Sequence, residues 1–132
     1  MAKGLTRLLL DTSAVIAHAD ALRLEPGQTA AISVVTLGEL VAGVRLAGDA
    51  RTRALREARL AAVRSAFEPI LVDEIVAQRY GEVLASARAS GRTSKATDLL
   101  VIATAAATGR ALRTLDHAQE QLAMALGVPV EP

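Results

Sequence analysis

The chain has 132 residues, of which 52% are hydrophobic, but it contains only one Phe, one Tyr and no Trp. This length is typical of one domain, whose core must then be aliphatic. The absence of Cys excludes disulfides, a zinc ribbon and a thiol nucleophile. A net charge of +1 gives no bulk attraction for nucleic acid. No segment approaches the roughly 18 apolar residues of a membrane helix, so we expect a soluble, cytoplasmic protein with a single domain over residues 1–132.

Predicted strands and helices alternate along the chain. In the first half they are a strand at Leu8–Leu10, a helix at Ser13–Ala19, a strand at Ala31–Val35, a helix from Thr36 to a break at Gly48, and a helix at Ala50–Ala66. In the second half they are a strand at Phe67–Val72, a helix capped by Asp73 and ending at Gly91, a helix at Leu99–Thr108, a strand at Ala111–Leu115, a helix from Asp116, and a short strand at Gly127–Val130. The alternation predicts an α/β fold with a parallel β-sheet flanked by helices.

Four acidic residues fall where predicted strands and helices meet. Asp11 directly follows the first strand, and Glu39 is in the first turn after the second. Asp98 begins a helix that contains no charged residue, and Asp116 follows the fourth strand. Because ligands of open α/β sheets bind outside the carboxyl ends of the strands, we expect the four side chains to project toward one rim.

Each acid also has a purely structural interpretation. Asp11 and Asp116 suit helix N-caps. Glu39 stands three residues after Thr36, the spacing of a capping box, and Asp98 would complement a helix dipole. Taken together, however, carboxylates on one rim repel each other unless a cation neutralises them. Oxygen ligands without Cys or paired His favour Mg²⁺ or Mn²⁺ over zinc, and such ions promote phosphodiester hydrolysis.

Other polar residues lie near these acids. The hydroxyls of Ser13 and Thr114 could orient a carboxylate or a metal-bound water, or simply serve as caps and strand-end contacts. His18 and His117 have no second His at ligand spacing, so both are predicted to be surface or packing residues.

A cluster of arginines falls on the helix predicted at residues 50–66, opposed by a single acid, Glu57. A solvated helix face and a local nucleic-acid contact both remain open for it. The cluster consists of Arg51, Arg53, Arg56, Arg59 and Arg64.

Four motifs follow one another along the chain: Leu9–Ala14, Ile32–Leu40, Thr97–Ala103 and Leu112–Asp116. Together they resemble the successive motifs of the PIN-domain family, in particular its VapC-type toxins from bacterial toxin–antitoxin pairs. The resemblance extends from Leu8 to Pro129. It implies a three-layer sandwich with a parallel sheet between helices. It also implies Mg²⁺- or Mn²⁺-dependent endoribonuclease activity on an RNA substrate.

The resemblance also assigns residues and partners. The family's catalytic and metal-binding acids fall on Asp11, Glu39, Asp98 and Asp116. Ser13 takes the place of the accompanying hydroxyl, and Thr114 that of the hydroxyl residue before the last acid. A homodimer, or a hetero-oligomer with a cognate VapB-like antitoxin that covers the site, is implied as well.

Two segments depart from the family pattern. The residues after Asp116 lack the usual aromatic side chain, and the loop before Asp98 has Thr93-Ser94-Lys95 in place of a Pro-Ile step. Within that loop, Arg92 and Lys95 are predicted RNA phosphate contacts, with plain solvent exposure as the alternative.

Two other functions remain open at this point. The first is a phosphotransfer enzyme with Asp11 as nucleophile, although no second Asp stands two residues later. The other is a catalytically idle PIN-like module that binds RNA or protein.

Overall fold

The computed structural model describes residues 5–17 and 24–131 and places a four-stranded parallel sheet between helices. In chain order the elements are β1 (Thr6–Leu10), α1 (Thr12–Ala17), β2 (Gln28–Ser33), α2 (Val34–Arg45), α3 (Ala50–Ala66), β3 (Pro69–Ile70), α4 (Glu74–Ala89), α5 (Ala96–Thr108), β4 (Ala111–Arg113) and α6 (His117–Ala125). The strand order is β3-β2-β1-β4, and neighbouring strands are parallel throughout. The predicted fold class is therefore confirmed.

The central strand β1 has apolar side chains buried on both faces of the sheet. Leu9 packs into a cluster with α4, α5 and α6, whereas Leu8 and Leu10 pack into a second cluster with α1, α2 and α3. All three side chains are at most 1% exposed. This two-sided burial is why β1 reads as a continuous apolar run rather than an alternating one. None of the helices in the described part of the chain is long and apolar enough to cross a membrane.

The boundary predicted between the second strand and the next helix is wrong by two residues. β2 ends at Ser33, and α2 begins at Val34. The Oγ atom of Ser33 accepts a hydrogen bond from the backbone N–H of Val35 at 3.0 Å, so Ser33 is the N-cap of α2. Its capping contact outweighs the strand preference of the two valines.

The strand predicted at Phe67–Val72 is also shorter than expected. Only Pro69–Ile70 forms β3, since it pairs at the sheet edge with just two residues of β2. Leu71 and Val72, which follow, are exposed. The apolar run therefore continues beyond the strand as an exposed segment.

The predicted strands near the C-terminal end of the described chain are shorter as well. β4 stops at Arg113, two residues before the predicted end, and the strand predicted at Gly127–Val130 is reduced to one bridge between Leu112 and Val130. α5 begins at Ala96 rather than Leu99. The end predicted for the first helix lies outside the described residues.

Glycine ends two helices as the sequence predicts. Gly91 and Gly109 have φ angles of 71° and 63°, the left-handed conformation that an L side chain disfavours. After Gly109, the N–H of Arg110 reaches back to the carbonyl of Ala105 at 2.9 Å. This contact satisfies a carbonyl that the end of α5 would otherwise leave open.

Substituting Gly109 with Ala should lower the free energy of unfolding by about 1 kcal/mol, because alanine is strained at positive φ. Gly81→Ala is the matched control, since this glycine lies inside α4, and at either position an added methyl group meets no atom within 4 Å apart from its chain neighbours and its own helix backbone. Gly81→Ala should instead raise stability by up to about 1 kcal/mol. Urea unfolding of both variants measures the contrast. Equal effects of the same sign would contradict it.

Candidate active site

All four predicted acids line one cleft at the carboxyl end of the sheet, with a volume of about 190 Å³. Asp11 joins β1 to α1, and Glu39 lies on α2. Asp98 is in the first turn of α5, and Asp116 is the N-cap of α6. The other lining residues are Thr12, Ser13, Lys95, Val101 and Gln119.

A chain of hydroxyls connects the first acid to the fourth. Ser13 Oγ donates to Asp11 Oδ1 at 2.6 Å, so its only proton is committed there. At the 3.1 Å contact between the two hydroxyls, Thr114 Oγ1 is therefore the donor. Thr114 Oγ1 in turn accepts from the backbone N–H of Asp116 at 3.0 Å, and Ser13 Oγ also accepts from the N–H of Leu115 at 2.9 Å. These hydrogen bonds all point the same way and end on the carboxylate of Asp11.

Two of the acids are also helix caps. Asp11 Oδ1 accepts from the N–H of Ala14 at 3.0 Å, and Asp116 Oδ1 accepts from those of Ala118 and Gln119 at 2.9 and 3.2 Å. In both carboxylates only Oδ1 forms these bonds, and Oδ2 makes no hydrogen bond to the described residues. Capping and cation binding are thus compatible, because each carboxylate has a second oxygen for an external ligand.

The capping-box interpretation of Glu39 is wrong. Ser33 is the N-cap of α2, which places Glu39 well beyond the first turn. Its Oε1 atom instead accepts a hydrogen bond from Thr12 Oγ1 at 3.0 Å. The contact draws the Glu39 side chain toward the start of α1, on the side of the cleft where Asp11 lies.

The surroundings of Asp98 in the cleft shift the pKa of its carboxyl group. Burial raises the pKa of this carboxyl above its usual value of 3.8. The ammonium of Lys95 lowers the pKa, whereas the negative charges of Asp116 and Asp11 raise it further. Ionised Asp98 is therefore disfavoured by the cleft itself, and a cation that entered would relieve this cost.

The acids do not form a ready-made metal site. In residues 5–17 and 24–131, no group of three or more His, Asp or Glu side chains is arranged to hold a metal ion. Asp11 and Asp116 accept hydrogen bonds from helix N–H groups, and Glu39 accepts one from Thr12. A shared cation would require these side chains to turn toward one another.

Gln119 is a cleft residue that the sequence did not indicate. It is only 5% exposed, and its Nε2 atom donates to the backbone carbonyl of Asp98 at 3.1 Å. Its backbone N–H bonds the carboxylate of Asp116. Gln119 therefore connects the two helix starts that carry the third and fourth acids. The one hint in the sequence is its position three residues after a capping Asp.

Of the two residues predicted to contact RNA phosphates, only Lys95 lines the cleft. Lys95 lines the cleft and acts on the pKa of Asp98, whereas Arg92 is exposed and does not line it. His117 is exposed, as expected for a surface residue. His18 lies outside the described residues.

The chain matches known proteins over most of its length. The sequence pattern of the PIN domain matches residues 8–124. The chain belongs to the PIN-domain family. This PIN domain is 41% identical over 100 residues to Ribonuclease VapC8 of Mycobacterium tuberculosis, covering 74% of the chain and 88% of the relative. It is 37% identical over 117 residues to Ribonuclease VapC4 of the same organism, covering 84% and 87%.

A solved structure shares the fold. The chain aligns with a TM-score of 0.78 and 34% identity to a crystal structure of VapBC-5, a member of the VapBC family of toxin–antitoxin systems from M. tuberculosis. The alignment covers 89% of the PIN domain and 90% of that chain. The family resemblance stated from the four sequence motifs is therefore confirmed.

Proposed function

We propose that this PIN domain is an endoribonuclease, the toxin of a toxin–antitoxin pair, and that it hydrolyses RNA phosphodiester bonds with Mg²⁺ or Mn²⁺. The observation that carries the proposal is the cleft, where four carboxylates line about 190 Å³ and Asp98 has a raised pKa. The names of the relatives, Ribonuclease VapC8 and VapC4, support RNA as the substrate.

The donor set suits a hard divalent cation, because it offers carboxylate oxygens in a cleft whose charges repel. Asp11, Glu39, Asp98 and Asp116 line the cleft and would together hold the ion. When bound, the ion supplies charge neutralisation at the scissile phosphate and activates the attacking water.

The chain's own residues prepare this chemistry. The hydroxyls of Thr114 and Ser13 fix Asp11 Oδ1 by the hydrogen bonds described above and leave Oδ2 without a hydrogen bond to the described residues. Lys95 brings the one ammonium group of the lining residues into the cleft. Lys95 would offset part of the negative charge that an incoming phosphate must approach, and would contact that phosphate.

A protein partner follows from the same cleft. VapBC-5 is a member of the VapBC family of toxin–antitoxin systems, and we infer a VapB-like antitoxin for this chain. Acidic side chains around an open cleft suit an arginine from such a partner, since guanidinium–carboxylate pairs are strong and geometrically specific. Either a homodimer or a hetero-oligomer with the antitoxin is compatible with this arrangement.

Metal dependence is the direct test of the proposal. The purified protein should cut single-stranded RNA in Mg²⁺ or Mn²⁺ and should not cut it in EDTA, because the carboxylates alone repel the phosphate. Gel analysis of end-labelled RNA measures the cleavage, and readdition of Mn²⁺ after EDTA should restore it.

DNA of the same sequence serves as the matched substrate control. Cleavage undiminished by EDTA would overturn the metal-dependent mechanism. RNA binding without cleavage under any metal condition would overturn the enzyme and favour the idle binding module.

A further inference from the structure

The arginines of α3 do not all face the same surroundings. Arg56 and Arg59, one turn apart, line a cavity of about 230 Å³ between α2 and α3. Arg53 and Arg64 line a different cavity together with Glu57. The only acid inside the arginine cluster therefore lies at the second cavity, and the first has no acid of α3 among its lining residues.

The two arginines of the first cavity are held in different ways. Arg56 Nη1 donates to the backbone carbonyl of Gly43 on α2 at 2.7 Å, which fixes its guanidinium across the two helices. Arg59 Nε is buried and has no hydrogen-bond partner among the described residues. The one salt bridge among the described residues joins Arg79 to Glu82 on α4. Neither cavity arginine therefore forms a salt bridge with a carboxylate of the described residues.

Glu39 joins this cavity to the active-site cleft. It lines both spaces, and its carboxylate accepts its hydrogen bond from Thr12 rather than from an arginine. A ligand in the arginine cavity would therefore lie beside the carboxylate cleft. The cleft on one side of Glu39 is lined by acidic residues, whereas the cavity on its other side is lined by Arg56 and Arg59.

We propose that Arg59 and Arg56 form a phosphate subsite for the RNA strand next to the scissile bond. RNA carries a phosphate on each nucleotide, so a strand with one phosphodiester in the carboxylate cleft brings a neighbouring one close by. A guanidinium fork matches phosphate geometry. At about 30 Å³ for each water molecule, the cavity volume of 230 Å³ accommodates a phosphate with part of its hydration. This inference rests on the proposed ribonuclease function.

Salt dependence of RNA binding tests the subsite. In an Asp98→Asn background, which prevents cleavage, a fluorescent single-stranded RNA of mixed sequence is titrated at several salt concentrations. Arg59→Gln should weaken binding about tenfold, as expected for a lost charge-assisted contact. It should also reduce the slope of log K against log salt by about 0.7, the value for one phosphate on a single strand. Arg59→Lys keeps the charge and should retain most of the slope.

Arg64→Gln is the matched control, because it removes the same charge from the same helix at the other cavity. It should leave the slope nearly unchanged. Equal slopes for Arg59→Gln and Arg64→Gln would overturn the subsite. If Arg59→Gln unfolds, Arg59→Lys is compared with Arg64→Lys: loss of the guanidinium fork should weaken RNA binding only at residue 59, and equal affinities would overturn the subsite. In the otherwise unsubstituted enzyme, Arg59→Gln should raise KM for RNA more than it lowers kcat. If the unsubstituted protein does not cut RNA, the proposed function fails; if it cuts but Arg59→Gln binds normally, only the subsite fails.

Discussion

Replacing Asp98 with Asn is expected to reduce RNA cleavage by more than about a hundredfold. Mutation of a residue that only hydrogen-bonds to a metal ligand already lowers activity about 10–100-fold, and Asp98 is proposed as a ligand itself. The substitution should also raise the unfolding free energy of the metal-free protein. Burial and the nearby negative charges of Asp116 and Asp11 disfavour the ionised form of Asp98. Asn removes the negative charge of residue 98 and with it this cost. Thermal unfolding in EDTA should show higher stability, and gel-based assays should show slower cleavage.

The pH dependence of this stability gain follows from the raised pKa of Asp98. A carboxyl whose pKa is higher in the folded state destabilises the fold most when it is fully ionised. The advantage of Asp98→Asn should therefore be largest at neutral pH. It should disappear as the pH falls below the ordinary value of 3.8, where the native side chain is protonated as well.

Asp73→Asn is the control for both measurements. Asp73 caps α4 through an oxygen that accepts from the N–H of Val76 at 2.9 Å, and it does not line the cleft. Asn is also a good N-cap, so cleavage and stability should change little. Mg²⁺ should raise the melting temperature of this control but not of Asp98→Asn. Unimpaired cleavage by Asp98→Asn would exclude Asp98 from the chemistry.

The order of the elements could be predicted because apolar runs and caps are local signals. Asp49 and Asp73 cap α3 and α4 by their side chains, and α3 has the predicted bounds. The boundary error at β2 arises from a local cap, whereas the error at β3 arises because pairing with β2 limits the strand. Val34 and Val35 favour a strand by composition, yet the cap at Ser33 starts the helix. Local preference does not show how many residues of a neighbouring strand are available for pairing.

The approach of the four acids to one cleft could be predicted from topology, because strands in a parallel sheet end at the same edge. What the sequence could not show was how each carboxylate is used. The sequence offers capping and ligand binding as alternatives, but Asp11 and Asp116 each cap with one oxygen, and the other makes no hydrogen bond to the described residues. The partner of Glu39 is Thr12, 27 residues away, and no spacing rule predicts such a contact.

Gln119→Leu is expected to lower kcat for RNA cleavage about 10–100-fold, the range for residues that orient metal ligands. The amide of Gln119 bonds the backbone of Asp98, and its own backbone N–H bonds Asp116. Without the amide, the starts of α5 and α6 lose the contact that fixes the relative position of these acids. The Mn²⁺ concentration for half-maximal cleavage should rise by a similar factor, an effect that general loss of packing would not produce.

Stability separates positioning from unfolding in this variant. Gln119 Oε1 is buried without a hydrogen-bond partner in the described residues, so leucine removes an unsatisfied polar atom along with one hydrogen bond. The two changes offset each other, and the unfolding free energy should shift by less than about 1 kcal/mol. Gln121→Leu is the control, because Gln121 is exposed on the same helix and should leave kcat and the Mn²⁺ requirement unchanged. If Gln119→Leu cuts RNA at the normal rate with the normal Mn²⁺ requirement, the acids are positioned by the hydroxyl chain and the helix caps alone.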